Sequence, residues 1–371
     1  MEFIIDRDVF LKSLGHAIGI IEKKTTLPIL SNVLIEAKNS KIKITATDLD
    51  IIYVEEINPQ EIKKEGSTTT SASILYDILR KLQANAKVEL SLQSINKLKL
   101  ISENSKFNLL CIPADNYPLS NEDIDQKSFD IPGDKLLKLL NKTKISISND
   151  ETRHYLNGIY LHKTILNEKT YLCAVATDSH RLSSSSLEID PKTNLEPIIL
   201  PKKTIFQLIS LLEQTVNLVK ISNNKSKIKF EMDKGVLISK VIDGRFPDYN
   251  KVIPKNNDKI LEIKLNEFKN SIQRVTSVSL DHKEGLKMSI SKDSVQFSVN
   301  SPNSGEGIES INAKFNSNEL SISFNSRYLT DIATQIENEL ITINLKDPGS
   351  PVLIKDFSDK NSFHVVMPMK I

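Results

Sequence analysis

Hydrophobic positions along the 371-residue chain change their period in a recurring order. A short strand-like stretch opens each third: Phe3-Ile4-Ile5, then Phe129-Asp130-Ile131, then Leu261-Glu262-Ile263. A helical pattern follows each one. Its apolar face is Phe10, Leu14, Ala17, Ile18 and Ile21 in the first third, and Leu136, Leu137, Leu140 and Ile145 in the second. In the third it is Phe268, Ile272 and Val275; such spacing is that of an amphipathic helix. A further helix is expected midway through each third, over residues 74–82, 205–212 and 328–336. Ile205, Leu208, Ile209 and Leu212 show it best, at i, i+3, i+4 and i+7. Between the helices the period drops to two, as in Ile42, Ile44 and Ala46, in Val88-Glu89-Leu90-Ser91-Leu92, and in Leu98-Lys99-Leu100. Ile228-Lys229-Phe230 and residues 341–345 repeat that alternation, which is that of half-buried strands. Polar clusters at 223–225 and 346–350 read as turns between them. Runs of hairpins with few crossover helices predict antiparallel sheets with helices packed on one face.

Short motifs repeat with the pattern. Ala46-Thr47-Asp48 returns as Ala176-Thr177-Asp178 at an offset of 130, and Asp115-Asn116-Tyr117-Pro118 as Gly244-Arg245-Phe246-Pro247 at 129. Two landmarks at nearly one offset point to a duplicated unit. The expectation is an α+β chain of three similar domains, 1–125, 126–255 and 256–371, each built from two helix-plus-strands units. The boundaries fall in the polar stretches Asn121–Lys127 and Lys255–Lys259.

Composition narrows the class. With 39% hydrophobic and 26% charged residues, 14 Pro and 11 Gly, the chain is globular rather than collagen-like or disordered. The longest apolar run, Leu172-Cys173-Ala174-Val175-Ala176, is far short of the about 20 residues a spanning helix needs. Charged residues Glu2, Asp6, Arg7 and Asp8 interrupt the N-terminus where a signal peptide would be apolar. Cys111 and Cys173, 62 positions apart, form no C-x-x-C motif and fit a reducing cytoplasm.

Catalytic patterns are missing from the sequence. There is no phosphate-cradling glycine loop and no H-E-x-x-H, and the six histidines show no metal-ligand spacing. No cofactor or metal is expected. Asp48-Leu49-Asp50 and Asp123-Ile124-Asp125 read as turn carboxylates, because no third ligand accompanies them. Thr177-Asp178-Ser179-His180-Arg181 holds Ser, His and Asp, which admits a hydrolase reading. In an extended segment, however, Asp178 and His180 would point away from Ser179. The alternatives are a strand end leading into a turn, or a polar recognition pocket.

Net charge is only +2, but it is not evenly spread. The six helical stretches carry about +7 and the remainder about −5. Helices sharing one side would make a shallow basic surface able to follow a phosphate backbone without reading bases.

Longer motifs then become informative. They are Leu27-Pro28-Ile29-Leu30, Thr45-Ala46-Thr47-Asp48-Leu49, Arg153-His154-Tyr155-Leu156-Asn157-Gly158, and residues 174–182 and 241–249. With the apolar tail Val365-Val366-Met367-Pro368-Met369-Lys370-Ile371, they resemble the bacterial DNA sliding clamps, the beta subunits of DNA polymerase III. The resemblance implies three domains per chain and a homodimeric ring around double-stranded DNA, bound without sequence preference in the cytoplasm. It implies a mechanical role, no catalysis, an ATP-dependent clamp loader, and docking of the replicative polymerase and other proteins with clamp-binding motifs.

By the same resemblance a partner-peptide groove would involve Leu156, Thr177, Ser179, His180, Arg181, Leu182, Pro247, Lys251, Val252, Val365, Val366, Met367, Pro368 and Met369. Ser179 stands where Gly is usual and Lys251 where Arg is usual; lysine offers no planar fork. DNA contacts would fall to Lys24, Arg80, His154, Tyr155, Lys202 and Lys203, with His154 in place of a usual Tyr. The dimer contact would use Lys106, Phe107 and Leu109 against Val278, Glu306 and Glu309, the last two being what remains of an acidic stretch near 302–309. The competing expectations are a hydrolase using Asp178 and His180, and a β-rich interaction protein with no DNA role.

Overall fold

In a computed structural model of the chain, residues 1–22, 26–119, 124, 128–214, 217–279 and 285–370 are described. Lys24, Asp123, Asp125, His282 and Ile371 lie outside them, as does most of the first polar boundary stretch.

All six expected helices form: α1 (Arg7–Ile18), α2 (Ala72–Lys81), α3 (Gly133–Lys144), α4 (Lys202–Leu212), α5 (Leu265–Thr276) and α6 (Ser326–Ala333). Side chains start three of them by accepting hydrogen bonds from otherwise orphaned backbone N–H groups. Asp6 accepts from Asp8 and Val9 at α1, Ser71 from Ile74 at α2, and Asn325 from Arg327 at α6. α1 ends at Ile18, and Ile21 is buried beyond it. On α3 the buried leucines are 136, 139 and 140, so Leu139 takes the core position expected of Leu137. The stripe continues through fully buried Thr143, whose hydroxyl donates to the carbonyl of Leu139 at 2.9 Å. A polar residue satisfied in this way hides the helical period from a purely apolar reading.

The chain divides into two compact units. The first comprises residues 1–137, 193–196 and 203–241, and holds a 13-stranded sheet. The second comprises 138–192, 197–202 and 242–371, and holds a 12-stranded sheet. The middle third of the sequence supplies strands to both. In the first unit Gly235–Lys240 pairs antiparallel with Ile51–Ile57, Ile238 opposite Ile52. Gly235 must lack a side chain there, since a Cβ would stand 2.8 Å from the Tyr53 hydroxyl and 2.9 Å from the Val54 carbonyl. In the second unit Arg181–Glu188 pairs antiparallel with Asp359–Val366, Leu182 opposite Val365.

The expected alternating segments are strands with one face inward: Lys41–Thr47, Lys87–Ser94, Lys97–Ser102, Lys227–Glu231 and Leu340–Leu345. Ile42, Ile44, Val88, Leu90, Leu98 and Leu100 are buried. In the second unit α5 lays Phe268 edge-on against Phe297, ring centres 5.7 Å apart, within a core that includes Phe324, Ile341 and Val366. Burying side chains of this size contributes about 1.5–3 kcal/mol each. Among the described residues no helix is long and apolar enough to cross a membrane.

Candidate functional site

The repeated Ala-Thr-Asp motif is a hairpin turn built twice. In each copy the Thr hydroxyl donates to a carbonyl four residues on, Thr47 to Ile51 at 2.8 Å and Thr177 to Arg181 at 2.7 Å. The same oxygens accept from the N–H groups of Leu49 and Ser179. The Asp carboxylates accept from the two N–H groups that follow: Asp48 from Asp50 and Ile51, Asp178 from His180 and Arg181. Leu49 and Ser179 both take left-handed backbone angles, φ 78° and 77°. Residues 178–180 are therefore not extended, the conformation that had counted against a hydrolase, but wound into a turn by their own side chains.

Their side chains also diverge. Asp178 holds the Arg181 guanidinium at 3.1 Å, the Ser179 hydroxyl accepts from Arg153 at 2.6 Å, and the His180 ring lies nearly parallel to Tyr328. Three groups with three separate partners do not form a proton relay. Arg181 is 9% exposed and held from several sides: besides Asp178 it donates to Asp331 of α6 at 2.7 Å, and its guanidinium carbon sits 4.4 Å over the Tyr328 ring.

Beside this turn lies a cavity of about 240 Å³. Three distant segments line it: Thr177, Ser179, His180, Arg181 and Leu182; Pro247, Asp248, Tyr249 and Val252; and Val365 and Met367. Nine of the fourteen expected groove residues are thus brought together. Leu156 is buried beneath, in a cluster with Val175, Leu182, Ile199, Phe246, Leu353 and Val365. It reaches that depth because Asn157-Gly158 starts a strand packed on Ile198–Pro201; a Cβ at Gly158 would lie 2.2 Å from the Leu200 carbonyl.

The other four expected groove residues do not line this cavity. Val366 belongs to the core around Phe268, because successive residues of a strand face opposite ways. The Lys251 side chain is 81% exposed, its amino group 3.6 Å from the Asp248 carboxylate. Pro368 and Met369 lie past the last strand. There the backbone N–H of Met367 donates to His180 and that of Met369 to Ser323, at 2.8 and 2.7 Å. Asp248 and Tyr249 were missed. They stand in the 241–249 motif, but the orientation of Tyr249 depends on contact with His162, 87 positions away.

The expected DNA-contacting residues have the following local surroundings. Arg80 pairs with Asp77 at 3.2 Å, His154 is exposed with Nε2 3.2 Å from the Asp243 carbonyl, and Tyr155 is half-buried. Lys202 is held by the side-chain oxygen of Asn149, and Lys203 by Asp48. Helix cations counted toward a basic surface are partly neutralised in the same way. Lys138 pairs with Glu337 and Asp359, while Lys142 is buried among Glu337, Asp356 and the Gln335 carbonyl.

At the expected dimer contact, Ser105–Ile112 pairs along its length with Lys97–Ser102. Its second neighbour, Gly66–Ser71, meets only Cys111 and Ile112. Its outer half keeps one open edge among the described residues. Leu109 is buried and Phe107 half-buried, since they face the core side; Lys106 and Leu110, 86% exposed, face out. Gly305–Phe315 is alike, paired throughout with a neighbour on one side but only at residues 313–315 on the other. Glu306 is exposed there, Glu309 is held by Arg274 of α5 at 2.9 Å, and Val278 packs on the core.

Burial pushes the Cys173 thiol up to about 11, so it is an inert core group. In the first unit a separate cavity of about 340 Å³ contains a buried Glu55 carboxylate that accepts from Tyr53 at 3.1 Å and lies 3.0 Å from His16.

Comparison with known proteins adds to this geometry. Family models for the DNA polymerase III beta subunit match in order: the N-terminal domain over residues 1–121, the central domain over 130–248 and the C-terminal domain over 250–370. The chain is 34% identical to the beta sliding clamp of Caulobacter vibrioides over 373 residues, and 29% identical to that of Escherichia coli K12 over 371, all of both chains being covered in each case. Among solved structures it is similar to a sliding clamp of Bartonella birtlesii bound to griselimycin, with TM-score 0.96, 36% identity and full coverage of both chains. A clamp of Caulobacter crescentus gives TM-score 0.96 at 34% identity, covering 100% of this chain and 99% of the other.

Proposed function

Because the chain belongs to the family of DNA polymerase III beta subunits, the bacterial beta sliding clamps, we propose that the cavity beside the second hairpin turn is where its partners dock. The protein is a DNA sliding clamp, the processivity factor of a replicative polymerase, and its fold is the three-domain α+β clamp fold. It works by topology and catalyses no reaction. Its partners are a second copy in a ring, duplex DNA and the polymerase. An ATP-dependent loader and further proteins carrying clamp-binding motifs would use the same groove, in the cytoplasm. We assign the domains as 1–125, 126–255 and 256–371.

One observation carries the docking assignment. Residues 177–182, 247–252 and 365–367, remote in sequence, converge on a concave surface whose walls are mainly Leu182, Pro247, Val252, Val365 and Met367. Such a surface suits a short apolar peptide anchored by a few side chains, and methionine adapts to more than one of them.

Two half-open strand edges, at 105–110 and 305–312, suit a head-to-tail contact by strand addition, which closes a two-fold ring. Lys106, Phe107 and Leu109 of one copy would face Val278, Glu306 and Glu309 of the next. Lys24, Arg80, His154, Tyr155, Lys202 and Lys203 are assigned to the DNA path. With several helix cations paired internally, direct affinity for DNA should be weak and independent of sequence.

Retention on DNA tests the function. After loading by the cognate loader, the protein should remain on a nicked circle and leave when that circle is linearised. Equal retention on both forms would overturn a topological mode of action.

A further inference from the structure

One wall of the groove is backed by a ladder of four rings. Tyr160 and His162, two apart on the strand Gly158–Leu166, face the same way. Their rings stack with centres 4.7 Å apart. Phe246 lies flat on the other side of Tyr160, centres 4.9 Å apart and planes within 7°. The chain then passes Pro247 and Asp248 and lays Tyr249 against His162, ring centres 5.7 Å apart, with the Tyr249 oxygen 2.9 Å from His162 Nε2. Tyr249 lines the cavity, whereas His162 stands behind it.

The direction of that hydrogen bond is set by its surroundings. Burial pushes the Tyr249 phenol up to about 12, so it keeps its proton and donates. Burial also holds the His162 imidazole below its ordinary value, which keeps it neutral and Nε2 an acceptor. Nδ1 lies 3.3 Å from the Lys163 carbonyl and donates to it. Tyr249 begins a single 3₁₀ turn, Tyr249–Val252, started by Asp248 accepting from Asn250 at a long 3.3 Å. So short a turn does little to fix a ring.

We propose that His162 is a positioning residue of the groove, holding Tyr249 in place as an aromatic wall against which a flat apolar side chain of the docked peptide packs. The role rests on the docking assignment above. It acts by preorganisation: a wall already fixed costs no ordering when the peptide binds.

The test measures affinity for a fluorescein-labelled peptide copied from the clamp-binding segment of the cognate replicative polymerase, with thermal melting as the control for folding. Tyr249→Phe removes one oxygen and His162→Phe removes the acceptor while keeping a ring for the stack. Each should weaken binding about fivefold, the worth of one net hydrogen bond. The double variant should be no worse than either single variant, since both remove the same bond. His162→Gln, which can return an acceptor near Nε2, should bind nearly as the unaltered protein does. Unchanged affinity in Tyr249→Phe would overturn the positioning role even if His162→Phe failed to fold, and additive losses in a folded double variant would overturn it as well. Failure of the unaltered protein to bind would overturn the docking assignment and this inference with it.

Discussion

Ser179 and Leu49 occupy equivalent corners of the two hairpin turns, and both pay in backbone strain for a conformation that suits glycine. A left-handed angle costs an L-residue about 1–2 kcal/mol, part of which glycine returns through its freer unfolded chain. Leu49→Gly is therefore expected to stabilise the protein by up to about 1 kcal/mol. Ser179→Gly should gain less, because it also loses the hydroxyl that accepts from Arg153. Urea denaturation of both variants checks this, and a clear loss of stability in Leu49→Gly would refute it. His364 is fully buried, its Nδ1 2.8 Å from the Ser183 hydroxyl, which meets the Ser146 hydroxyl at 2.7 Å. Burial, aided by nearby Lys142 and Arg181, pushes it down to about 3. The unfolded chain protonates this group near 6.5, so its contribution is fully present above that pH and is lost as pH falls toward 3. The slope is at most about 1.4 kcal/mol per pH unit. Denaturation between pH 7 and pH 5 should show a shallower pH dependence in His364→Asn than in the unaltered protein.

The last strand, Asp359–Val366, separates two roles that adjacent residues would otherwise blur. Val366 is sealed in the core and pairs with both Arg181 and Val352, whereas the Met367 side chain lines the cavity. Deleting residues 367–371 should leave the sheet intact and remove one groove wall. A loss of about 3 kcal/mol corresponds to a hundredfold weaker peptide affinity, with far-ultraviolet circular dichroism unchanged. Deletion from Val365 onward should instead destabilise the second unit, because it strips buried residues from the core. Unchanged peptide binding by the shorter deletion would show that the tail is no part of the groove.

Each compact unit is a sheet continued through the middle third of the chain, so lateral strand pairing as well as the covalent chain joins the thirds. The two half-open edges belong one to each unit, as a head-to-tail contact between copies requires. Light scattering at micromolar concentration should give about twice the 41.8 kDa chain mass; the monomer mass would count against the dimer. Glu309 is already held by Arg274 of its own chain, leaving little charge for a partner to use. Dimer dissociation should accordingly respond only weakly to salt, changing less than about threefold between 0.1 and 0.5 M sodium chloride. A steep salt dependence would show that charges, rather than backbone pairing and apolar contact, hold the copies together.

Periods of two and of three to four residues already identify six helices, most strand faces and the order of the repeats, because those spacings follow from backbone geometry within one segment. The motifs at 177–182, 247–252 and 365–367 are equally legible as pieces. Their convergence is not, nor is the burial of Lys142 among carboxylates, the capture of Lys203 by Asp48, or the seating of Tyr249 on His162, 87 positions away. Those pairings depend on which strand lies beside which and in what register. Shifting that register by one residue would turn every side chain to the opposite face without altering the local pattern.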